Sequence, residues 1–409
     1  MIIMRESISS CEEICYTMPM VISLYIHKIL YKFGGTESFT AKFLEIMQEL
    51  YPQADIVLIT ECFASDDKLS PVQMAVRLND AYGTEVRTEH FSVRYIATKK
   101  PKAGGMLRRL CRKCCTIAFQ RKLCEITAGD DLFVNCSNQA VRACARRNIT
   151  IIHFPQDRSE HTGISMKLPF LRPIVSRNDR KYLACYEYFL PNSQFTAGWL
   201  KQKWGITDDN IKVFYHPAKF VTVQREKILT QIAVCGRIEA SKKIDVMVRA
   251  FNSSDYLKSK CVLKIAGSCD NEDEDYINAV RSFATEHIQI MLSPSRAELE
   301  ALYAESGIFW HAKGYGETNP MLMEHFGMTT IEAMSAGCIP VVINKGGQKE
   351  IVTAECGYVW DEPDQLVTYT EQLLRLPATQ VARMRAACIA RSRMCSKESF
   401  KEAIQEILG

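Results

Sequence analysis

No stretch of the sequence approaches the roughly 20 consecutive apolar residues that a membrane-spanning helix requires. Strong charge is missing as well. A formal net charge of +4 with 24% charged residues is too slight and too ordinary to make nucleic acid the expected partner. Cysteine is plentiful at 17 residues, yet paired metal spacing is lacking, and the odd count fits no disulfide framework. Free thiols in a reducing cytosol are the expectation. Cys111, Cys114 and Cys115 come nearest to a zinc motif, but no second CxxC or HxxxH accompanies them. The chain has no GxGxxG fingerprint, internal repeat or low-complexity tract. The acidic run from Asp270 to Asp275, with Asp273 and Asp275, reads as a solvated loop, because nothing nearby adds hard oxygen ligands. The apolar run from Met18 to Ile26 follows Glu6, Glu12 and Glu13 and precedes His27 and Lys28, so it reads as a buried first strand and not as a secretory leader.

What is present is material for two domains: 409 residues, 47% hydrophobic. Short apolar runs alternate with helical-period segments, the pattern of parallel α/β sheets covered on both faces. In the first half the expected strands are Val21 to Ile26, Ala54 to Ile59, Asp131 to Asn135, Ile149 to Phe154 and Tyr188 to Pro191, with Val213 to His216 closing an α/β unit. In the second half they are Gln231 to Cys235, Cys261 to Ala266, Ile288 to Leu292, Gly307 to His311 and Ile339 to Ile343. The polar stretch from Pro217 to Thr230 is the expected hinge. The reading is two doubly wound Rossmann-like domains, 1–222 and 228–392, with a helix at 396–409 crossing back to the first. Ligands on such sheets sit beyond the carboxyl ends of the strands, so the cleft between the domains is the expected site.

Four segments carry candidate chemistry. In Glu324-His-Phe-Gly-Met-Thr-Thr-Ile-Glu332, Gly327 permits close backbone approach, Thr329 can cap a helix and Gly337 can end it. A helix opening from a glycine turn is a ready anion site, since free N–H groups and the dipole face the loop. By spacing alone Glu332 completes a capping box with Thr329. In Cys235-Gly-Arg237-Ile-Glu-Ala-Ser-Lys242-Lys243, the two cations could converge on one phosphate or stand solvated. Gly34 and Gly35 make a tight turn with Thr36 as a possible cap. His153 ends a strand, where an imidazole is either structural or at the cleft edge. Phe309 to Ala312 reads as core strand, and Gly346-Gly347-Gln348-Lys349-Glu350 as a second glycine loop.

The Glu-x7-Glu spacing, with Phe-Gly after the first acid and Glu-Ala-Met-x-Ala-Gly-x-x-Pro-Val-Val at the second, resembles the signature of retaining GT-B glycosyltransferase family 4. Gly-Arg-x-x-x-x-Lys is similar to a second pattern of that family, although Lys243 stands where glycine is common. The resemblance implies that Glu324 lies by the donor sugar and that Phe326, Gly327, Met328 and Thr329 approach the sugar and diphosphate by their backbone. It also implies that Glu332 accepts from the ribose hydroxyls and that Arg237 and Lys242 neutralise the diphosphate. Gly34 and Gly35 would close on donor phosphate and sugar. His153-Phe-Pro is similar to a triplet of GDP-mannose-dependent mannosyltransferases, which implies sugar contact by His153. The matches run from Gly34 to Ile351.

The expected activity is transfer of a hexosyl group from GDP-mannose or a UDP-sugar to a glycan or lipid-linked acceptor in surface polysaccharide or glycoconjugate assembly. No metal or other cofactor is expected, because the two cations stand where an ion would. An epimerase or phosphorylase on the same fold, or a non-catalytic nucleotide-sugar-binding subunit, are the rival readings. The stretch from Lys99 to Lys122 holds nine cations and no acid, with Met106, Leu107, Leu110, Ile117 and Phe119 interleaved. That suits either a helix on an anionic membrane surface or a solvated basic helix. A cytoplasmic location, peripheral on the cytoplasmic face of a membrane, is the corresponding expectation.

Overall fold

The computed structural model describes residues 19–31, 34–63, 65–98, 118–137, 139–157, 172–269 and 273–409. Cys111, Cys114, Cys115, Asp270 and most of the basic stretch lie outside the described residues. Only residues 118–122 of that stretch are described, and they are helical together with residues 123–127.

Strands β1 (Val21–Ile26), β2 (Asp55–Phe63), β3 (Phe91–Thr98), β4 (Leu132–Asn135), β5 (Arg147–Ile152) and β6 (Tyr188–Pro191) form one sheet in the order β3-β2-β1-β4-β5-β6. Strands β7 (Ile228–Cys235), β8 (Val262–Gly267), β9 (Ile288–Leu292), β10 (Ser306–His311), β11 (Ile339–Ile343) and β12 (Tyr358–Trp360) form the other, in the order β12-β11-β10-β7-β8-β9. Every pairing in both sheets is parallel. Read from opposite ends the two orders are the same doubly wound plan, whose direction of winding reverses between β1 and β4 and between β7 and β10.

The residue types explain the layers. Central strands such as β4 and β11 are buried along their whole length, as a sheet covered on both faces requires. Helix Gly35–Leu50 buries Phe39, Phe43, Leu44 and Met47 against the first sheet, and helix Ile244–Ser253 buries Met247, Val248 and Phe251 against the second. Two expected features differ. Sequence patterning missed β3 and β12, both at sheet edges: exposed and polar residues interrupt the apolar run of β3, and β12 is only three residues long. Val213 to His216 forms no strand: Phe189 bridges to Ile211, and the extended segment follows β6 through single hydrogen bonds to Phe189 and Pro191.

The C-terminal helix Lys397–Leu408 returns to the first domain. Phe400 and Ile404 join its core, Arg147 donates to the Leu408 carbonyl at 2.7 Å, and Lys397 pairs with Glu45 and Glu49 of helix Gly35–Leu50. This ties the end of the chain to its beginning across both domains.

Candidate active site

The winding reversal of the second sheet places the loop after β7 beside the loop after β10, and four charged or polar groups meet there. Glu324 is the centre. Its Oε2 accepts from Lys242 Nζ at 2.9 Å and lies 3.3 Å from His311 Nε2 and 3.9 Å from Lys313 Nζ. Burial would push the carboxyl up, but Lys242, His311 and Lys313 outweigh it and hold Glu324 well below the usual carboxylate range. Burial lowers His311 and Lys313 against the opposing pull of Glu324. The cluster therefore consists of one firmly ionised acid paired with Lys242, with His311 and Lys313 lowered by burial beside it, and the His311 Nδ1 is buried without a hydrogen-bond partner.

Local backbone explains how Glu324 is presented. Gly346 has φ +66°, and a Cβ there would stand 2.0 Å from the Glu324 carbonyl oxygen, while the Gly347 N–H donates to that oxygen at 2.8 Å. The second glycine loop thus clamps the residues 324–326 by backbone contact that no side chain would allow. Gly327, at φ +126°, is the N-cap of helix Met328–Ser335. Thr329 is therefore inside the helix and caps nothing, and the capping box expected between Thr329 and Glu332 does not form. Gln348 lies against Gly327; its Oε1 accepts from Thr330, and its Nε2 is buried without a partner. Met328 and Thr329 sit half-buried at the helix entrance, and Phe326 is core, stacked on Tyr215 at 5.6 Å.

Freed from capping, Glu332 points into a mixed-charge pocket. Tyr303 OH donates to it at 3.4 Å and Arg296 Nη1 lies 3.9 Å away. Burial raises its carboxyl, opposed by Arg296, Lys42 and Lys219, so a lysine of the first domain faces it across the cleft. Arg237 and Lys242 do not share a partner: Arg237 Nη1 is 3.1 Å from Glu239 Oε2, whereas Lys242 holds Glu324. Both nevertheless act on the Lys313 ammonium, which places them around one spot. Lys243 takes φ +55°, the left-handed conformation for which glycine is common, and its Nζ is anchored 2.8 Å from Glu317.

The first domain contributes differently. Gly34 is the N-cap of helix Gly35–Leu50 with no side-chain cap, so Thr36 lies inside the helix, and both glycines are exposed at the end of the loop after β1. His153 follows β5, its Nε2 lies 3.2 Å from the Cys136 carbonyl, and burial pushes the imidazole down to about 4. Its ring sits against Phe39 and His216, at 5.7 and 5.0 Å. Neutral and packed, it has the surroundings of a structural histidine that borders the cleft.

Contacts hold the two domains together beside the site. Ser193 Oγ donates to the His325 carbonyl at 2.6 Å, the His325 ring stacks on Phe154 at 4.1 Å, and the Glu350 carboxylate accepts from the Gln194 and Phe195 N–H groups at 2.8 and 3.3 Å. Glu350 thereby serves the N-terminus of a helix in the other domain, as an acid does at a positive dipole end. Sequence reading gave no site role to His311, Lys313, Lys42 or Glu350: His311 was read as core strand and Glu350 only as part of a glycine loop, and only the fold brings these residues to the cleft. Among the described residues no cluster of three or more histidine, cysteine or acidic groups could hold a metal ion.

Comparison with known proteins bears on the fold. The family model described as glycosyl transferases group 1 matches residues 220–393. Curated relatives carry the name GDP-Man:Man(3)GlcNAc(2)-PP-Dol alpha-1,2-mannosyltransferase. The one from Dictyostelium discoideum is 28% identical over 125 residues, 29% of this chain and 23% of that protein. The one from Homo sapiens is 23% identical over 243 residues, 53% of this chain and 47% of that protein. In both, the match spans less than half of the relative's length. Among solved structures, a glycosyltransferase from Rickettsia africae superposes with a TM-score of 0.65 at 15% identity, covering 95% of this chain and 98% of that one. Anabaena HepE in complex with UDP and glucose gives 0.63 at 15%, covering 95% and 99%. The chain therefore has the two-domain GT-B fold, and its residues 220–393 match the glycosyl transferases group 1 model.

Proposed function

We propose that the protein transfers a hexosyl group, with retention at the anomeric carbon, from a nucleotide sugar to a glycan on a lipid-linked acceptor. The observation that carries the reading is the ionised Glu324 held among Lys242, His311 and Lys313 one turn before a helix N-terminus. A diphosphate at that N-terminus would meet free backbone N–H groups of residues 327–329 together with Lys242 and Arg237, and the sugar beyond it would reach Glu324. Glu332, freed from capping and set apart from Glu324, suits the ribose hydroxyls. The cations supply electrostatic stabilisation where charge develops on the departing nucleotide, so no resident metal is proposed.

GDP-mannose is the favoured donor because the curated relatives are named for it. Rival chemistry on the same fold would not couple release of nucleoside diphosphate to extension of a glycan, and a binding subunit would have no turnover. Incubating the protein with GDP-mannose or UDP-glucose and a lipid-diphosphate-linked mannosylated glycan tests the proposal. Release of nucleoside diphosphate matched by a glycan one hexose longer is expected; nucleotide release without glycan extension, or neither, would refute it. A basic segment docking on an anionic membrane surface belongs to the same proposal, and among the described residues no helix is long and apolar enough to cross a membrane. Flotation with liposomes of graded anionic lipid content tests that part.

A further inference from the structure

The first sheet reverses its winding between β1 and β4, and the group standing there is not one that the donor site uses. His27 follows β1 directly. Its Nδ1 lies 2.8 Å from Glu61 Oε1 of β2, and the same carboxylate oxygen accepts from Tyr25 OH at 2.7 Å. Tyr25 also reaches Gln139 Oε1, beyond β4, at 3.5 Å. Glu61 is 9% exposed and His27 31%, so the acid is buried behind an imidazole that faces outward.

The hydrogen-bond roles follow from charge. Burial would raise Glu61, yet His27, Tyr25 and the neighbouring Lys28 outweigh it and keep the acid below its ordinary range. An ionised carboxylate can only accept, so the proton between the two groups belongs to His27 Nδ1. In the neutral ring this leaves Nε2 as a bare acceptor. A carboxylate that fixes the tautomer and would stabilise the imidazolium, behind an outward-facing second nitrogen, is the arrangement of a general base. Lys28, in the left-handed region at φ +51° with its Nζ 4.5 Å over the Phe63 ring, turns the chain sharply just after the histidine. Glu61, Tyr25, Lys28 and Gln139 are the charged, titratable and amide groups that meet the dyad from β1, β2 and the segment after β4 among the described residues.

We propose that His27 is the acceptor-side base of the reaction, receiving the proton of the acceptor hydroxyl, with Glu61 and Tyr25 as its positioning residues. The inference rests on the glycosyl-transfer reading above and deepens it. In the step, a bond forms between the acceptor oxygen and the anomeric carbon, and the bond from that carbon to the diphosphate oxygen breaks. The hydroxyl proton passes to His27 Nε2 and from there to solvent, and the nucleoside diphosphate leaves with the electron pair. The acceptor thus enters at the reversal point of the first sheet, opposite the donor at that of the second.

The test uses the full chain with GDP-mannose as donor and a synthetic lipid-diphosphate-linked mannosylated glycan as acceptor, in His27→Gln and Glu61→Gln beside the parent. Thermal melting and calorimetric GDP binding establish that each variant is folded and keeps its donor site. His27→Gln is expected to lower acceptor kcat/KM by roughly 100-fold or more, with GDP affinity unchanged and the acid limb of the pH profile abolished. Glu61→Gln removes the charge that favours the imidazolium, so its acid limb should move to lower pH with a smaller rate loss. Folded His27→Gln that binds GDP and keeps acceptor kcat/KM within about twofold of the parent, with the acid limb in place, would overturn the dyad and leave the donor reading standing. A parent chain that binds GDP and no other nucleoside diphosphate tried, yet transfers nothing, would overturn both.

Discussion

The two sheets are built to one plan and do opposite things with charge at their cleft-facing ends. In the second domain an ionised acid, Glu324, is pressed among Lys242, His311 and Lys313, and Glu332 is forced toward its neutral form by burial. On the β5 side of the first domain the cleft-edge histidines, His153 and His216, are driven neutral by burial and packed on Phe39. Identical strand order therefore decides where a site can be and not what it does. Chemistry follows from which side chains the loops deliver to that place.

The largest expected effect breaks the charged cluster itself. Glu324→Ala should cut turnover of the nucleotide sugar on the order of 1,000-fold, the scale of losing a preorganised electrostatic group, while GDP affinity by calorimetry stays within about threefold. Normal turnover would return Glu324 to a structural role and erase the contrast between the domains.

A smaller loss is expected at the other acid. If Glu332 holds ribose hydroxyls, Glu332→Gln weakens a charge-assisted bond of roughly 1.5 to 3 kcal/mol, about 10- to 100-fold in nucleotide affinity. The pH dependence has a definite sign. Because burial raises this carboxyl from its ordinary 4.5, nucleotide affinity should begin to fall with acidification already above that value. Equal affinity in the variant and the parent across pH 4 to 7 would remove Glu332 from the donor site.

On the neutral side the expected change is in stability. His153 is held at about 4, below its ordinary 6.5, so the unfolded chain binds its proton first as pH falls. Its contribution is present above 6.5 and is lost progressively toward 4, amounting to about 2 kcal/mol by pH 5. His153→Phe should therefore flatten the melting temperature between pH 6.5 and 5; an unaltered slope would show that the imidazole takes up protons freely. The smallest expected effect is none: if the cations of the second domain take the place of an ion, as proposed, EDTA should leave transfer unchanged. Loss on chelation with recovery by magnesium or manganese would reopen Asp273 and Asp275 as ligands.

Legibility differed between elements for physical reasons. Central strands announce themselves because both faces are buried and the apolar run is unbroken, as in Ile339–Ile343. Edge strand β3 is broken by exposed and polar residues and β12 is only three residues long, so neither gives an apolar run long enough to read. Of the candidate site, Glu324, Glu332, Arg237 and Lys242 stood out in the sequence because they lie in two compact segments whose spacing is itself the signal. The Thr329 cap was misread for the reverse reason: Thr-x-x-Glu is a local pattern, and the backbone clamp of Gly346 and Gly347 starts the helix at Gly327 instead.

By itself the sequence determined the two parallel α/β layers and singled out the segments that carry Glu324, Glu332, Arg237 and Lys242, since periodicity and local spacing are properties of neighbouring residues. Only the tertiary structure decided that His311 and Lys313 flank Glu324, that Lys42 of the first domain faces Glu332, and that His27 and Glu61 form a pair. Those partners lie from 11 (Lys313 and Glu324) to 290 (Lys42 and Glu332) positions apart, and burial sets their charge states only once the elements that bear them stand side by side.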